Sequence, residues 1–326
     1  MIQNLKGKND SYLFNAEHKA DVISTGERYF YVFRGKSQST QRDVLIKQTA
    51  IPTLISNENH RQIVEEILLN INKLHNSLAQ TLDVIQSNDS YYIVREYVQG
   101  VSLHNLIFDP DYSKIRSAHL LAEIARQLCE ITATLHANGI VHRNIKPANV
   151  IVMHNHLGHI DTVNIRIKLA DFERIQITGR SMLNFGRLPV SRVYSSPEML
   201  LQQANLIHIT TDIFSIGITL FELFARKPAY NSDNQDLILN MQVAFPLKKT
   251  PEMPKQLFAI LHKASFKHVF RKPPTHYDAC EAHNFLKKAV SSRYLSVIDL
   301  QRDLEDFFAQ QGHKKPLFRF RRKERK

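Results

Sequence analysis

The chain has 326 residues, of which 43% are hydrophobic, and it carries a formal net charge of +12. A chain of this length buries enough apolar surface to fold unaided, and its two cysteines, Cys129 and Cys280, are too few for a disulfide framework. No apolar run reaches the roughly 18 residues of a membrane span, and the first residues, MIQNLKGKND, lack the apolar stretch of a secretory signal. The expected location is therefore cytoplasmic, with delivery to another compartment or host left open.

The positive charge is concentrated in the last residues of the sequence. Residues 313–326 contain eight lysines and arginines against one acidic residue, Glu324, and so account for more than half of the net charge. Such a run is typical of a solvated end and also of a segment that contacts an acidic surface. The remainder is only mildly basic and contains no nucleic-acid-binding motif, so specific nucleic-acid binding is not expected.

The first hundred residues alternate short strand-like runs with one helical stretch. Tyr29–Phe33 and Val44–Ile46 are rich in aromatic and β-branched residues, which favours strands. Residues 61–74 place isoleucines and a leucine at helical spacing, and Tyr91–Val94 again has the composition of a strand. These patterns predict a small sheet accompanied by one helix.

The pattern changes after Gly100. Helical periodicity extends over residues 118–138, 211–225 and 294–309, and the sequence between these stretches is rich in loop-forming residues. A small, mainly β part is thus followed by a larger, mainly helical part. We expect an α+β fold.

Two motifs indicate chemistry. Residues 142–149 read HRNIKPAN and resemble the protein-kinase catalytic loop HRDxKPxN, and LADFE at 169–173 resembles the metal-binding DFG element. Five further segments follow the kinase order: VLIKQ (44–48), YIVREYVQGVSL (92–103), SSPEM (195–199), DIFSIGITLFELFARKPAY (212–230) and SSRYLSVIDLQRDL (291–304). With seven segments in order over about residues 20–310, the chain resembles a bacterial, eukaryotic-like serine/threonine protein kinase.

The resemblance implies a bilobal fold with a β-rich N-lobe over residues 20–99 and a helical C-lobe over residues 100–310. Residues 1–19 are then an N-terminal extension, and residues 311–326 are a basic tail. About twenty residues near 268–290 lengthen the pattern as an insertion, which is either a docking surface or a decorated loop.

The resemblance also implies ATP and Mg²⁺ as ligands and a protein as substrate or partner. Lys47 is expected to contact the α- and β-phosphates and to pair with a helix glutamate, for which Glu66 is the first choice and Glu65 the second. Further contacts to the nucleotide are expected from residues that border the adenine and ribose: Val32, Leu45, Glu96, Val98 and Ile151.

Magnesium is expected on Asn149 and Asp171, because carboxylate and amide oxygens suit this hard cation. Lys146 matches the lysine that approaches the transferring phosphate in serine/threonine kinases. Other matches are structural: Glu198 and Arg293 are expected to form a buried ion pair, and Asp212 is expected to hold the backbone of the catalytic loop.

Five departures from the kinase pattern fall where nucleotide and substrate meet. Asn144 replaces the catalytic aspartate, and losing such a proton acceptor typically costs about 10²- to 10⁴-fold in rate. The glycine-rich loop is degraded over Thr25–Val32, where Glu27 would repel phosphate. Leu45 replaces a small residue above the adenine, Arg95 occupies the gatekeeper position, and Glu173 replaces the glycine of DFG.

Two interpretations follow. The chain is either an ATP-dependent serine/threonine protein kinase of low activity or a pseudokinase whose fold presents surfaces to a partner. The enzyme is favoured by the residues that match the catalytic positions: Lys47, Lys146, Asn149 and Asp171. The binding module is favoured by the altered glycine-rich loop, by Leu45 and above all by Asn144.

Overall fold

The computed structural model describes residues 2–17, 22–24, 30–50, 58–87, 90–115, 117–179, 191, 193–270 and 276–312. The chain divides into two compact units. The first holds Met1–Gln99 and Lys168–Glu173, and the second holds Gly100–Ile167 and most of the chain from Arg174 onward. The first unit is rich in strands and the second in helices, so the expected α+β architecture is confirmed.

The first unit is built on one antiparallel sheet. Its described elements are β1 (Ile2–Lys6), β2 (Ser11–Asn15), β3 (Val22–Ser24), β4 (Phe30–Ser37), β5 (Asp43–Ala50), α1 (Glu58–Asn70), β6 (Thr81–Ser87) and β7 (Ser90–Glu96). The strand order is β1-β2-β4-β5-β7-β6, and β3 also pairs with β4. The helix predicted over 61–74 corresponds to α1 and a following turn of 3₁₀-helix at Ile71–Lys73.

Residues 1–19, expected as an extension, contribute β1 and β2 to this sheet. β2 pairs with one end of β4, where Phe14 lies opposite Gly35, and β3 pairs further along the same strand, where Val22 lies opposite Phe33. One edge of β4 is therefore shared by two short strands. The sheet extends beyond the elements that sequence periodicity predicts.

The turn between β1 and β2 reaches the strand at the other end of the sheet. The backbone N–H of Asn9 donates to Oδ2 of Asp83 on β6 at 3.0 Å, and the Asn9 side chain donates to the Leu82 carbonyl at 2.8 Å. Asp83 is buried. The sheet is thus curled so strongly that its first strand approaches its last.

Close approach at this contact requires a glycine. A Cβ atom at Gly7 would collide with the carboxylate of Asp83 and the side chain of Ile85. We expect Gly7→Ala to lower the free energy of unfolding by about 1–3 kcal/mol, the usual cost of overpacking. The matched control is Lys8→Ala at an exposed position of the same turn, which should change it by less than about 0.5 kcal/mol. Equal effects in urea denaturation would contradict this account of the turn.

Strand alternation gives the sheet two chemically different faces. One face forms the core of the unit, with the buried residues Leu5, Tyr12, Phe14, Phe33, Val44, Ile46, Ile85, Tyr92 and Val94. On the other face, Lys47 lies opposite Val32 and Ile93, and Leu45 lies opposite Arg95. Since directly paired residues point to the same side of a sheet, Lys47 and Arg95 are diagonal neighbours on this second face.

From Gly100 onward the chain is mainly helical. The described elements are β8 (Gly100–Ser102), α2 (Leu103–Phe108), α3 (Ala118–Ala137), β9 (Ile140–Val141), β10 (Val150–Met153), β11 (Ile167–Leu169), β12 (Gln176–Ile177), α4 (Pro197–Leu200), α5 (Ile209–Ala225), α6 (Gln235–Ala244), α7 (Lys255–Ala264), α8 (Ala279–Ser291) and α9 (Val297–Gly312). The three predicted helices correspond to α3, α5 and α9. Short antiparallel pairs join β8 to β10 and β9 to β12.

The sequence dictates these helices locally. Ser117 caps α3 by accepting a hydrogen bond from the backbone N–H of Leu120 at 3.0 Å. Nearly every residue of α5 is buried, which suits a helix that is apolar all round and therefore forms a core. Within the described residues, no helix is long and apolar enough to cross a membrane.

The segment near 268–290 forms a packed helix rather than a loop in its described part. Asp278 caps α8 by accepting from the backbone N–H groups of Cys280 and Glu281. The Phe285 ring stacks on His268 at 4.1 Å between centroids, and Leu286 is buried beside it. This segment therefore adds a small aromatic core to the helical unit.

The predicted ion pair of Glu198 and Arg293 is confirmed. The two Nη atoms of Arg293 donate to the two carboxylate oxygens of Glu198 at 2.6 and 2.9 Å, and both side chains are fully buried. Burial alone would raise the pKa of Glu198, but the guanidinium outweighs burial and lowers it. The pair is therefore ionised at neutral pH.

This pair predicts an acid sensitivity. Because the folded-state pKa of Glu198 lies below the unfolded value of about 4.3, the pair stabilises the fold above that pH, and its contribution is lost as the pH falls toward the folded-state pKa. The free energy of unfolding should therefore fall more steeply below about pH 5 in the wild type than in a Glu198→Gln, Arg293→Met double variant. Parallel curves in urea titrations over this range would contradict the prediction.

Candidate functional site

The polar face of the first unit's sheet presents the predicted lysine. Lys47 lies on β5 between Val32 on β4 and Ile93 on β7, and Arg95 follows two residues after Ile93. The alternation that sends Val44 and Ile46 into the core sends Leu45 and Lys47 to this face. Two cations are thus fixed side by side by strand register.

The chain returns to this unit through β11, which places two carboxylates next to the cations. The backbone N–H of Leu169 donates to the Ser77 carbonyl, and the Leu169 carbonyl accepts from Ala79, each at 2.8 Å. Beyond this contact Asp171 adopts a left-handed backbone with φ of 75°, which aspartate tolerates better than most residues. Phe172 is buried between Asp171 and Glu173.

These four residues form a buried charge cluster, Lys47–Arg95–Asp171–Glu173. Nζ of Lys47 donates to Oδ1 of Asp171 at 2.5 Å and to Oε2 of Glu173 at 3.3 Å. Nη1 of Arg95 lies 3.4 Å from the same Asp171 oxygen and 3.6 Å from Oε1 of Glu173. Each of the four residues is less than a tenth exposed, and their formal charges sum to zero.

The two carboxyls differ in acidity although they share both cations. Burial opposes ionisation of Asp171, but Lys47 and Arg95 outweigh it and hold its pKa well below the usual value. Burial and the neighbouring Asp171 charge raise the pKa of Glu173. Burial also acts to lower the pKa of Arg95, but the two carboxylates overcome this and raise it. Asp171 is therefore the more firmly ionised of the two acids.

The cluster gives Lys47 carboxylate partners that were not expected. Glu66, the first choice for its helix partner, is exposed on α1. Glu65, the second choice, faces the sheet and accepts a hydrogen bond from the hydroxyl of Tyr91 on β7. Glu173, which stands in place of the glycine of DFG, pairs directly with Lys47.

The remaining predicted nucleotide contacts are placed as follows. Glu96 accepts from the backbone N–H of Gln80 at 2.8 Å and pairs with Lys168. Val32, Leu45 and Val98 of the first unit are partly exposed, as is Ile151 of the second unit, on β10. The predicted phosphate loop lies outside the described residues at 25–29, and its end, residues 30–32, begins β4.

In the second unit, Asp212 anchors the loop that contains Asn144. Its carboxylate accepts from the backbone N–H groups of His142 at 2.8 Å and Arg143 at 2.7 Å, so its predicted role is confirmed. Nε2 of His136 lies 2.9 Å from the same carboxylate. Burial would raise the pKa of Asp212, but these hydrogen bonds and the nearby histidines lower it. The loop is therefore held by its backbone.

The side chain of Asn144 is engaged within this loop. Nη1 of Arg174 donates to Oδ1 of Asn144 at 3.5 Å, and Nδ2 of Asn149 donates to the Asn144 backbone carbonyl at 2.7 Å. Burial lowers the pKa of Arg143 to about 10, Asp212 opposes that effect, and Arg174 adds to it. Lys146 is partly exposed. The sequence motifs did not point to Arg174, although it directly follows DFE.

The fit of the predicted metal ligands differs between the units. The side-chain amide nitrogen of Asn149 donates to the Asn144 carbonyl. The oxygen of the same amide is a ligand type that suits a hard cation. At Asp171, however, two protein cations compete for the carboxylate, so this arrangement does not fit Mg²⁺. Within the described ranges, no three histidine, cysteine, aspartate or glutamate side chains are grouped to hold a metal ion.

Comparison with known families identifies the class of protein. Residues 22–296 match the family model of the protein kinase domain. The chain therefore belongs to the protein kinase family, and the resemblance found in its motifs is confirmed.

Individual relatives are distant. The serine/threonine-protein kinase PrkC of Bacillus subtilis is 28% identical over 241 residues, which is 73% of this chain and 35% of the relative. Cyclin-dependent kinase 1 of Encephalitozoon cuniculi is 26% identical over 67% of this chain and 69% of its own length. The serine/threonine-protein kinase PknB of Mycolicibacterium smegmatis is 27% identical over 53% of this chain and 27% of its own length. The chain thus matches about a third or less of the two bacterial relatives.

The charge cluster predicts strong coupling between Arg95 and Glu173. Arg95→Met leaves two carboxylates facing one ammonium, so we expect it to lower the free energy of unfolding by about 3–5 kcal/mol. Arg95→Met combined with Glu173→Gln removes one charge of each sign and should recover most of that loss. Urea denaturation of both single variants and the double variant checks this. Additive losses would show that the two residues do not act as a pair.

Proposed function

We propose that this chain is an ATP-binding, protein-kinase-like protein whose phosphoryl transfer is impaired. The observation that carries the proposal is the state of Asn144, a neutral amide with the Arg174 guanidinium on its oxygen. Membership of the protein kinase family supports ATP as the nucleotide and a protein as the acceptor or partner. Lys47 retains the residue type that the family places on nucleotide phosphates, and Asp171 retains the type that the family places on the metal ion.

The chemical consequence of Asn144 follows from its amide. Phosphoryl transfer needs a carboxylate that orients the acceptor hydroxyl and takes its proton late, and an amide cannot take a proton. Positioning and charge neutralisation supply most of the rate in this reaction, so residual transfer remains after such a loss. We therefore expect a slow enzyme, with Lys146 favouring serine or threonine as the acceptor.

A catalytically inactive pseudokinase is the second candidate. It is favoured by the charge cluster, because Lys47 and Asp171 are both engaged by neighbouring side chains. In that case the fold presents a surface to a protein partner, and α8 offers a packed, added element for this purpose. The basic tail, residues 313–326, lies outside the described residues, and its contact with acidic surfaces stays a prediction, as does a cytoplasmic location.

Transfer from labelled ATP to a generic protein acceptor separates the two candidates. We expect the wild type to transfer little labelled phosphate and Lys47→Ala or Asp171→Ala to transfer none. Asn144→Asp should transfer more, with a rate closer to that of kinases that have an aspartate at this position. The gain should not exceed about 10²- to 10⁴-fold, the usual worth of a general base, because the new carboxylate would also pair with Arg174.

Asn138→Asp is the matched control, since it makes the same change at an exposed helix end.

Thermal unfolding with ATP tests the nucleotide site itself, since ATP at 100 times its Kd adds about 2.7 kcal/mol to the free energy of unfolding. No stabilisation by ATP would contradict the proposed nucleotide binding. Turnover by the wild type equal to that of Asn144→Asp would contradict the proposed impairment.

A further inference from the structure

The charge cluster leaves Asp171 already neutralised. Two cationic nitrogens lie within 3.4 Å of its Oδ1, one from Lys47 and one from Arg95. Glu173 balances the second cation, so the cluster as a whole carries no net charge. A divalent cation placed on Asp171 would raise the charge of this buried group to +2 and would lie close to both nitrogens. Such unbalanced burial of charge is strongly unfavourable.

Arg95 also has a buried donor that the described residues do not satisfy. Its Nε lacks a hydrogen-bond partner among them although Arg95 is only 7% exposed. The hydroxyl of Thr81, which lies directly opposite Arg95 on β6, is likewise buried without a partner in the described part of the chain. Buried polar groups are nearly always satisfied in native proteins. An unsatisfied donor on a guanidinium points to an anionic acceptor from outside the described residues.

Phosphate oxygens fit this requirement. A guanidinium is permanently charged, presents several N–H donors in one plane and binds phosphate through two of them. Lys47 supplies a second, compact positive charge two residues along the same face. A polyphosphate that accepts from Nε of Arg95 would gain this cation while Nη1 of Arg95 and Nζ of Lys47 remain beside the carboxylates, so that neither Asp171 nor Glu173 loses its partner.

We infer that Arg95 takes the charge-neutralising role that protein kinases give to a divalent cation, so that this chain binds ATP without Mg²⁺. The inference rests on the proposed nucleotide binding and adds how the phosphates are held. Arg95 and Glu173 then form one device. The arginine replaces the metal charge, and the glutamate balances the arginine when nucleotide is absent.

Calorimetric titration of the full chain with ATP tests this inference, once in excess EDTA and once in excess Mg²⁺. We expect the wild-type Kd to differ by less than about 3-fold between the two conditions. The charge-balanced variant Arg95→Met, Glu173→Gln should bind ATP at least about 10-fold more tightly with Mg²⁺ than with EDTA, because its Asp171 faces only Lys47. Arg126→Met is the control, since Arg126 is paired on α3 in the other unit and should behave as the wild type.

The outcomes separate the inference from the proposed function. Wild-type binding that requires Mg²⁺ would overturn the inference and leave the proposed nucleotide binding intact. No ATP binding by the wild type in either condition would overturn both. If the double variant shows no cooperative unfolding transition, it is not folded. The Kd of the wild type in EDTA and in Mg²⁺ still decides the inference in that case, because this comparison needs no variant.

Discussion

Charge balance among Lys47, Arg95, Asp171 and Glu173 constrains the first unit more than any other interaction described. Two charges of each sign lie where water is largely excluded, and such groups are tolerated only when each finds an opposite partner. The cluster therefore ties β5, β7 and the segment after β11 together through side chains as well as through backbone pairing. No member can change in charge without a matching change elsewhere, which explains why an arginine and a glutamate depart from the kinase pattern together.

In the second unit, the loop that contains Asn144 is held by backbone hydrogen bonds. Asp212 accepts from the backbone N–H groups of His142 and Arg143, and the buried pair of Glu198 and Arg293 lies within the same unit. Neither arrangement involves the side chain at position 144. The described contacts that hold this part of the protein kinase domain therefore do not depend on the side chain at position 144. The proposed impairment concerns that side chain, so it requires no change in these contacts.

Motifs and periodicity predicted the helices α3, α5 and α9, the family, and the partners of Arg293 and Asp212. They did not identify Asp171 and Glu173 as carboxylates that pair with Lys47. Two consecutive glutamates on α1 leave the register open, and only packing against β7 turns Glu65 toward the sheet. Arg95 and Glu173 were each visible as departures, but 78 residues separate them, and their pairing depends on tertiary placement. A partial signal existed, because strand register already places Arg95 beside Lys47.

The contact between Asn9 and Asp83 has a consequence for how the first unit folds. It joins residues 74 positions apart. The turn belongs to the first strands of the sheet order and Asp83 to the last, so the strands between them must be paired before the turn can reach β6. Contacts of such long range incur their loop-closure entropy before they return any stabilisation. We therefore expect the turn to close against β6 late in folding, and a chain in which it has not closed leaves the edges of β1 and β6, the two end strands of the sheet order, open to pairing with another molecule.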